Sequence, residues 1–477
     1  MDYEMIIGLE THVELATKSK IFCSCSTAFG AAPNTQCCEI CTGAPGSLPI
    51  LNKEVIRFAV MAGLALNCSI GKHCHMDRKN YFYPDLPKSY QISQADEPVC
   101  RDGYLTLNSG KRIGIERIHI EEDAGKLIHE NGSTFVDYNR AGVPLIEIVS
   151  RPDLRTAEEA AEYAEKLCLI MRNLGISDCK LQEGSMRCDV NISLHEPGKA
   201  YGTRTEIKNI NSFSNIAKAI NAEKTRQESL INRGEHVRQA TLRYDAANDL
   251  VSIMRIKENA DDYRYFPEPD IPGFTIPAEL VEECGKKLPE LPDARLKRYL
   301  GLGLTKESAG QLYRYKKLSA FFDETVNRGV SAKNTANLII KSVFSFFKTE
   351  EEKETFEVKI TPEQLAELVK YVDSGKLKIN RSAELLCRMC EEGKAVSSYL
   401  IEGETEGVSE ELLHELAKEA VKANPAACDD IKKGKKQAIN VPVGYIMKKT
   451  RGKADAGRAA ELILGLLKEE YENNQNN

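Results

Sequence analysis

Two short segments alternate apolar residues with carboxylates and a histidine: G-L-E-T-H-V-E (Gly8 to Glu14) and I-H-I-E-E-D-A-G-K (Ile118 to Lys126). A period of two is that of a β-strand, on which residues two apart share a face. Glu10 and His12 are therefore predicted to point the same way. Carboxylate oxygens with one imidazole suit Mg²⁺ or Mn²⁺, and sites of this kind usually serve phosphates. The alternative is that both segments are ordinary amphipathic strands with solvated polar faces.

The first part of the chain, to about residue 285, has short β-branched runs bounded by Gly, Pro and Tyr. These runs predict strands with a few helices between them, hence an α+β domain built around an antiparallel sheet. One helix is clear, because Thr156 and Glu159 form a capping-box pattern and apolar residues then recur at helical spacing up to Gly175.

The whole chain of 477 residues is too long for one hydrophobic core. Two prolines between Lys286 and Asp293 indicate a linker, and beyond it the apolar spacing is helical, as after the capping pattern at Thr361. A second break is expected between Ile401 and Ser409. The predicted domains are 1–292, 293–407 and 408–477.

Charge and cysteine content limit the class of protein. A net charge of −6 does not itself indicate nucleic acid, so any RNA contact must use a local basic patch. Neither a signal peptide nor a membrane span is predicted, since no basic leader or run of about 18 apolar residues occurs. Fifteen cysteines without a secretory signal indicate a reducing, cytoplasmic setting with buried thiols or metal ligands.

Two tight cysteine pairs, C-x-C and C-x-x-C, occur in a loop rich in Gly, Pro, Asn and Thr. Four thiolates at this spacing suit a tetrahedral zinc site, which would be structural because no position stays open for substrate. Cys37 is an adjacent spare that leaves the ligand set open, and four unrelated thiols are the alternative. A further pair, Cys387 and Cys390, lies in a helical stretch and is predicted to be core. The four candidate zinc ligands are Cys23, Cys25, Cys38 and Cys41.

Four other segments combine acidic, basic and aromatic residues. Arg78 to Gln94 has three tyrosines, three basic residues and two prolines, as a nucleotide pocket or an ordinary surface loop would. Glu183 to Asn191, Gly202 to Asn209 and Asp261 to Asp270 add carboxylates and cations, as phosphoryl transfer needs, although salt-bridged strand edges would look the same. No Walker A sequence, kinase glycine loop, G-x-S-x-G or G-x-G-x-x-G after a strand is present.

The last basic feature is the segment from Ile431 to Lys453, which has eight Lys or Arg residues and no acid. In a chain of net negative charge, this one-sided segment is interpreted as a contact for RNA phosphates, with a solvated helix face as the alternative. The eight residues are Lys432, Lys433, Lys435, Lys436, Lys448, Lys449, Arg451 and Lys453.

These segments resemble the family of aspartyl/glutamyl-tRNA amidotransferase B subunits. The stretches that carry the resemblance run in order through most of the first 270 residues and include D-R-K-N-Y-F-Y-P-D-L-P-K-S-Y-Q-I-S-Q, H-I-E-E-D-A-G-K, P-L-I-E-I-V, E-G-S-M-R-C-D-V-N-I-S, E-I-K-N-I-N-S-F and D-D-Y-R-Y-F-P-E-P-D. The tail, from N-P-A-A-C-D-D-I-K-K-G-K-K onward, resembles the YqeY-type module that closes this family.

The resemblance implies a cradle domain related to the glutamine synthetase fold, then a helical domain and a small helical tail. It implies an ATP- and Mg²⁺-dependent kinase that phosphorylates the side-chain carboxylate of Glu on Glu-tRNA(Gln), or of Asp on Asp-tRNA(Asn). Ammonia from an amidase A subunit then displaces the phosphate, and a small C subunit completes a heterotrimer. Two rival hypotheses stay open: a free-standing ammonia-dependent ligase for a small acid, and a non-catalytic zinc-dependent RNA-binding protein.

The resemblance also implies residue roles. It favours Glu122 for the metal, whereas the alternation argument alone selects Glu121 with His119. The implied Mg²⁺ ligands are Glu10, His12, Glu122, Asp189 and Glu206. The implied contacts to the nucleotide or the acyl phosphate are Arg187, Arg204, Lys208, Lys79, Lys88 and Tyr83.

Overall fold

A computed structural model describes residues 3–256, 263–401, 409–450 and 454–475 of the chain; the side chains of residues 209, 432, 436 and 469–475 are not among those described. The chain divides into two compact units, Met1–Pro292 and Asp293–Asn477. The second boundary expected from the sequence falls at residues 402–408, outside the described residues, so the three-domain division stays a prediction.

The first unit is a mixture of strands and helices. Its helices are α1 (Lys53–Ala65), α2 (Ala157–Leu174), α3 (Phe213–Asn232) and α4 (Ala278–Lys287). Its strands are β1 (Glu4–Glu14), β2 (Ser69–Ile70), β3 (His73–Cys74), β4 (Asp77–Asn80), β5 (Tyr90–Ser93), β6 (Cys100–Thr106), β7 (Arg112–Glu122), β8 (Lys126–Glu130), β9 (Ser133–Asp137), β10 (Pro144–Ser150), β11 (Met186–His195), β12 (Thr205–Ile210), β13 (Ala240–Asp245), β14 (Leu250–Ile256), β15 (Phe266–Pro267) and β16 (Phe274–Thr275).

Nine of these strands form one sheet, in the order β14-β13-β12-β11-β1-β10-β7-β6-β2. Neighbouring strands are antiparallel except β12 and β13, which are parallel. Smaller sheets are β15-β4-β5, β16-β3 and β8-β9. The α+β class with an antiparallel sheet, predicted from the sequence, is confirmed.

The period of two divides this sheet into an apolar face and a polar face. On β1 the side chains of Ile7, Leu9 and Val13 are at most 1% exposed and belong to the main core, against which α1, α2 and α3 pack. Glu10 and His12 alternate with them and therefore lie on the opposite face. The apolar half of each strand fixes the register and so decides which polar side chains meet.

The predicted helix after Thr156 is α2. The Thr156 hydroxyl accepts a hydrogen bond from the backbone N–H of Glu159, and Gly175 ends the helix with φ +74°. The Glu159 carboxylate accepts from the N–H of Arg155 instead of closing the full box. In the second unit, Thr361 and Gln364 form the complete capping box at the start of a helix.

The second unit consists of helices joined by loops in its described residues, with no strand among them. Its α-helices are α5 (Pro292–Gly301), α6 (Lys306–Leu312), α7 (Lys316–Val326), α8 (Ala332–Ser342), α9 (Glu350–Thr355), α10 (Pro362–Asp373), α11 (Ile379–Glu392), α12 (Glu410–Ala423), α13 (Pro425–Lys432), α14 (Asn440–Lys449) and α15 (Ala456–Gln475). Short 3₁₀ helices span Val343–Phe346, Val396–Ser398 and Lys436–Ile439. On α11 Cys390 is buried and Cys387 is half-buried. Among the helices described, none combines the length and apolarity that crossing a membrane requires.

Candidate active site and cysteine cluster

The polar face of the sheet brings two histidines and several carboxylates together across four central strands. Opposed residues of neighbouring strands share a face, and the register places His119 of β7 opposite Glu147 of β10, and Glu147 opposite His12 of β1. Arg187 of β11 continues this row on the other side of His12. One row of the sheet thus carries four polar side chains.

His12 and Glu147 of this row, together with Glu121 two residues after His119 on β7, form the first group of candidate metal ligands, here called the histidine cluster (His12, Glu121 and Glu147). The Nε2 atom of His12 lies 3.3 Å from Oε1 of Glu121 and 3.6 Å from Oε2 of Glu147. Burial alone would raise the pKa of Glu147, but His119 and His12 outweigh it and hold that pKa below its usual range. One imidazole and two carboxylates fit the donor set of Mg²⁺ or Mn²⁺.

A second group, the carboxylate cluster (Glu10, Asp189 and Glu206), lies on β1, β11 and β12. Nζ of Lys208 lies 2.6 Å from Oδ2 of Asp189 and 2.8 Å from Oε1 of Glu206. Burial raises the pKa of Glu10, and the charges of Glu147, Glu206 and Asp189 raise it further. Three acidic groups sharing one lysine leave negative charge that a divalent cation would neutralise, so this donor set also fits Mg²⁺.

Basic and aromatic side chains border the histidine cluster. Nζ of Lys79 lies 5.0 Å from the ring centroid of Tyr263. Burial would lower the pKa of Lys79, but the charges of Glu121 and Glu147, together with Tyr265, raise it. The guanidinium of Arg187 lies 3.0 Å from Oδ1 of Asp123. Fixed cations beside candidate metal ligands are suited to phosphate oxygens.

The cysteine loop (residues 23–46) carries the four predicted zinc ligands, whose sulfurs all lie within 4.8 Å of one another. Lys20 is fully buried, and its Nζ lies 3.5 Å from Sγ of Cys41 and donates to the carbonyl of Tyr138. A hydrogen bond from the Cys23 thiol lowers the pKa of Cys41, and Lys20 lowers it further. A buried ammonium facing sulfur fits ionised thiolates, whose four negative charges exceed the two positive charges of Zn²⁺.

Comparisons with known proteins identify the family. Residues 5–282 match the model described as the GatB/GatE catalytic domain, and residues 320–467 match the one described as the GatB domain. The aspartyl/glutamyl-tRNA(Asn/Gln) amidotransferase B subunit of Clostridium botulinum (strain Langeland) is 47% identical over 470 residues, which cover 97% of this chain and 98% of that protein. The protein of the same name from Caldicellulosiruptor saccharolyticus is 46% identical over 483 residues, covering 99% of this chain and 100% of its own length.

The chain belongs to the GatB family. The resemblance inferred from the sequence is thereby confirmed. The GatB/GatE catalytic match spans the nine-stranded sheet with both candidate metal clusters and the cysteine loop, whereas the GatB domain match lies in the helical unit.

The expected grouping of Glu122 with Glu10 and His12 is wrong for this GatB structure. Glu122 follows Glu121 on β7 and therefore points to the opposite face, where its two carboxylate oxygens lie 2.5 and 2.6 Å from Nζ of Lys88. Its Oε1 also accepts the N–H of Ile92. The alternation argument, which selected Glu121, agrees with the structure.

The remaining predicted contacts divide between those near the clusters and those away from them. Lys79, Arg187 and Lys208 lie beside the metal-ligand groups, whereas Lys88 is held by Glu122 on the other face. Arg204 is exposed just before β12, and Tyr83 is 59% exposed in the loop after β4.

The sequence analysis missed Glu147. The signal was present in the segment P-L-I-E-I-V, where this single carboxylate interrupts an otherwise apolar strand that is buried along its whole length. Only the pairing of β10 with β1 and β7 brings it to the two histidines, and a one-residue pattern cannot supply that register.

The basic tail is only partly among the described residues. Lys433 and Lys448 are exposed, Lys435 lies 3.1 Å from Asp430, and Lys449 pairs with Glu419. Arg451 and Lys453 lie outside the described residues, as do the side chains of Lys432 and Lys436.

Proposed function

We propose that this GatB-family chain phosphorylates the side-chain carboxylate of Glu on Glu-tRNA(Gln), of Asp on Asp-tRNA(Asn), or of both, and then converts it to the amide. The observation that carries the proposal is the presence of two adjacent donor groups for divalent cations on one sheet face, bordered by Lys79, Lys208 and Arg187. Two cations with nearby fixed positive charges are the usual equipment for phosphoryl transfer from ATP.

The chemistry explains why ATP is needed. A carboxylate is a poor electrophile without a leaving group. A carboxylate oxygen attacks the γ-phosphorus, and the bond to ADP breaks, which gives an acyl phosphate. Ammonia then attacks the acyl carbon, the C–N bond forms as the C–O bond to phosphate breaks, and the nitrogen loses one proton. The products are the amide, ADP and inorganic phosphate.

The chain's own residues position these groups. His12, Glu121 and Glu147 would hold one Mg²⁺, and the carboxylate cluster would hold the other. Bound Mg²⁺ supplies charge neutralisation for the phosphate oxygens. Lys79 and Arg187 border the same face and orient the transferring phosphoryl group.

The partners follow from the same proposal. Relatives named as the B component of an amidotransferase imply a multi-subunit enzyme, and we propose an amidase A subunit that supplies ammonia, with a small C subunit completing a heterotrimer. The exposed lysines Lys433 and Lys448 support tRNA binding by the tail. The cysteine loop would hold a structural Zn²⁺. A cytoplasmic location stays a prediction.

The test is ATP hydrolysis by the purified chain with ammonium chloride, with and without Glu-tRNA(Gln). We expect charged tRNA to stimulate turnover and Glu121→Gln to abolish the stimulation. The matched control is Glu116→Gln on the same strand, an exposed residue paired with Arg117. ATP turnover that ignores tRNA would point to a small-acid ligase, and no turnover even with the A and C subunits would leave only a binding role.

A further inference from the structure

The cysteine loop lies directly against Lys88. Gly43, two residues after Cys41, has φ +71°, and a Cβ built on it would lie 2.5 Å from Cγ of Lys88 and 3.4 Å from its Cα and Cβ. Carbon atoms in van der Waals contact are about 3.5–4.0 Å apart. The loop backbone at Gly43 therefore packs as a wall against Cα, Cβ and Cγ of Lys88. Rotation of the ammonium end alone would not relieve a clash at these atoms.

The other end of the Lys88 side chain holds Glu122. Their side chains are 11% and 4% exposed, and the ammonium contacts both carboxylate oxygens. The carbonyl of Glu122 also accepts a hydrogen bond of 2.7 Å from Nε2 of Gln91. Separating this pair would leave a buried charge without its partner, which is strongly unfavourable. A cavity of about 130 Å³ borders Gly43, Lys88 and Glu122, so a displaced lysine has space to move into.

Glu122 is the last residue of β7, and its neighbour Glu121 belongs to the histidine cluster. The two side chains point to opposite faces of the same strand end. Anchoring Glu122 on one face therefore fixes the backbone from which Glu121 reaches the other face.

We propose that Gly43 is a positioning residue through which the zinc-loaded cysteine loop keeps Lys88 on Glu122 and Glu121 in the histidine cluster. The inference rests on the proposed function in one respect, that Glu121 is a ligand of the metal used in the reaction. Under this proposal the structural zinc has a second effect besides stabilising the cysteine loop. Loss of zinc would also free the loop backbone that packs against Lys88, and so disturb the position of Glu121.

The experiment compares Gly43→Ala with Gly46→Ala in the full chain. Both glycines lie in the cysteine loop with positive φ, +71° and +86°, but a Cβ at Gly46 has nothing within 4 Å. The two variants therefore share the backbone strain and differ in the contact with Lys88. We expect Gly43→Ala to weaken Mn²⁺ binding by about tenfold, which is the size of effect seen when residues that hold a metal ligand in place are changed. Electron paramagnetic resonance of Mn²⁺ measures this affinity. Gly46→Ala should bind Mn²⁺ as the wild type does, with zinc content unchanged in both.

A double-substitution cycle tests the route through Lys88. Lys88→Ala removes the Cγ that the new methyl group would meet, so adding Gly43→Ala to it should cost no further Mn²⁺ affinity. If Lys88→Ala leaves the protein unfolded, Lys88→Ala with Glu122→Gln removes the uncompensated charge and serves as the background. Additive losses would overturn the proposal, as would equal Mn²⁺ affinities of Gly43→Ala and Gly46→Ala.

The zinc link has its own readout. Cys38→Ser should lose zinc and weaken Mn²⁺ binding as Gly43→Ala does, and a zinc-free variant with wild-type Mn²⁺ affinity would contradict the link. These measurements need neither tRNA nor ATP. A chain that shows the expected Mn²⁺ pattern but no tRNA-stimulated ATP turnover would refute the proposed function alone, and a wild type that binds no Mn²⁺ would refute the positioning role.

Discussion

Glu10 on β1 lies directly opposite Asp189 on β11. Like charges at opposed positions of an antiparallel pair destabilise the sheet. Here Glu206 adds a third carboxylate to the same group, and Lys208 contacts two of the three. The arrangement is unfavourable for the protein alone and favourable for a bound divalent cation.

Lys208 and the cation should therefore compete for the carboxylate cluster. Lys208→Met is expected to lower the thermal stability measured without divalent ions, because the carboxylates lose their neutralising charge. Added Mg²⁺ should then raise the melting temperature more in this variant than in the wild type, because the cation no longer competes with Lys208 for the carboxylates. A ligand present at about 100 times its dissociation constant stabilises the folded protein by about 2.7 kcal/mol. Lys199→Met, at an exposed pair with Glu196, is the control. Equal Mg²⁺ shifts in all three proteins would contradict the assignment.

Adjacent glutamates on β7 should behave differently when each is made neutral. Glu121→Gln removes a proposed metal ligand and is expected to lower Mn²⁺ affinity by more than about 100-fold, because changes outside the ligand shell alone cost about 10- to 100-fold. Glu122→Gln breaks the buried pair with Lys88 and should lower the free energy of unfolding by about 3–5 kcal/mol. Its effect on Mn²⁺ affinity, which acts only through the position of Glu121, should be about tenfold. Chemical denaturation and Mn²⁺ titration of both variants check this. The reverse pattern would restore Glu122 to the metal site.

The cysteine loop should hold one zinc ion through four sulfurs. Cys38→Ser and Cys41→Ser are each expected to lose bound zinc and to unfold at lower temperature, since the loop has little apolar core of its own. Cys37→Ser should keep both properties, because Cys37 lies outside the group of four sulfurs. Elemental analysis with thermal unfolding gives the answer. Zinc retained by Cys38→Ser would exclude this ligand set.

Local patterns predicted the elements well where a period or a cap decides the outcome. The alternation in β1 placed Glu10 and His12 on one face, and the capping residues Thr156 and Thr361 begin the predicted helices. The α+β fold and the family followed from such segments. The sequence also indicated Glu121 as a candidate ligand, since the period of two places Glu121, and not Glu122, on the same face as His119.

What the sequence could not provide is long-range register. Glu147 meets His12 and His119 only because β10 pairs with both β1 and β7. Lys88 meets Glu122 across 34 residues, and Gly43 meets Lys88 through a loop whose course depends on the cysteine cluster. No local period encodes such contacts, because they are decided by the packing of the whole unit.

The described lysines of the tail should contribute unequally to tRNA binding. Lys433→Ala and Lys448→Ala, at exposed positions, are expected to weaken tRNA binding and each to reduce the slope of log affinity against log salt by about 1. Lys435→Ala should have a smaller effect, because Asp430 already offsets part of that charge. Filter binding over a range of salt concentrations measures the slopes. Unchanged slopes for Lys433→Ala and Lys448→Ala would place the tRNA contact elsewhere.

Glu14 should make the stability of the protein depend on pH. Burial raises the pKa of Glu14, and the charge of Asp123 raises it further. Asp123 itself stays ionised, because Arg187 and Arg140, at 3.0 and 3.3 Å, overcome its own burial and lower its pKa. These opposite shifts favour a protonated Glu14 beside an ionised Asp123 near neutral pH.

The sign follows from linkage. Above the ordinary pKa of glutamate, the folded chain keeps the proton on Glu14 whereas the unfolded chain loses it. The free energy of unfolding therefore falls as pH rises toward the raised pKa of Glu14, about 8. Glu14→Gln mimics the protonated form and should remove this fall, gaining on the order of 1 kcal/mol or more at about pH 8. Asp123 acts in the opposite direction, and its contribution is lost only in acid. Denaturation of Glu14→Gln, the wild type and the exposed control Glu116→Gln across this range, without divalent ions, measures the difference. Parallel pH profiles for Glu14→Gln and the wild type would mean that Glu14 is ionised in the folded protein.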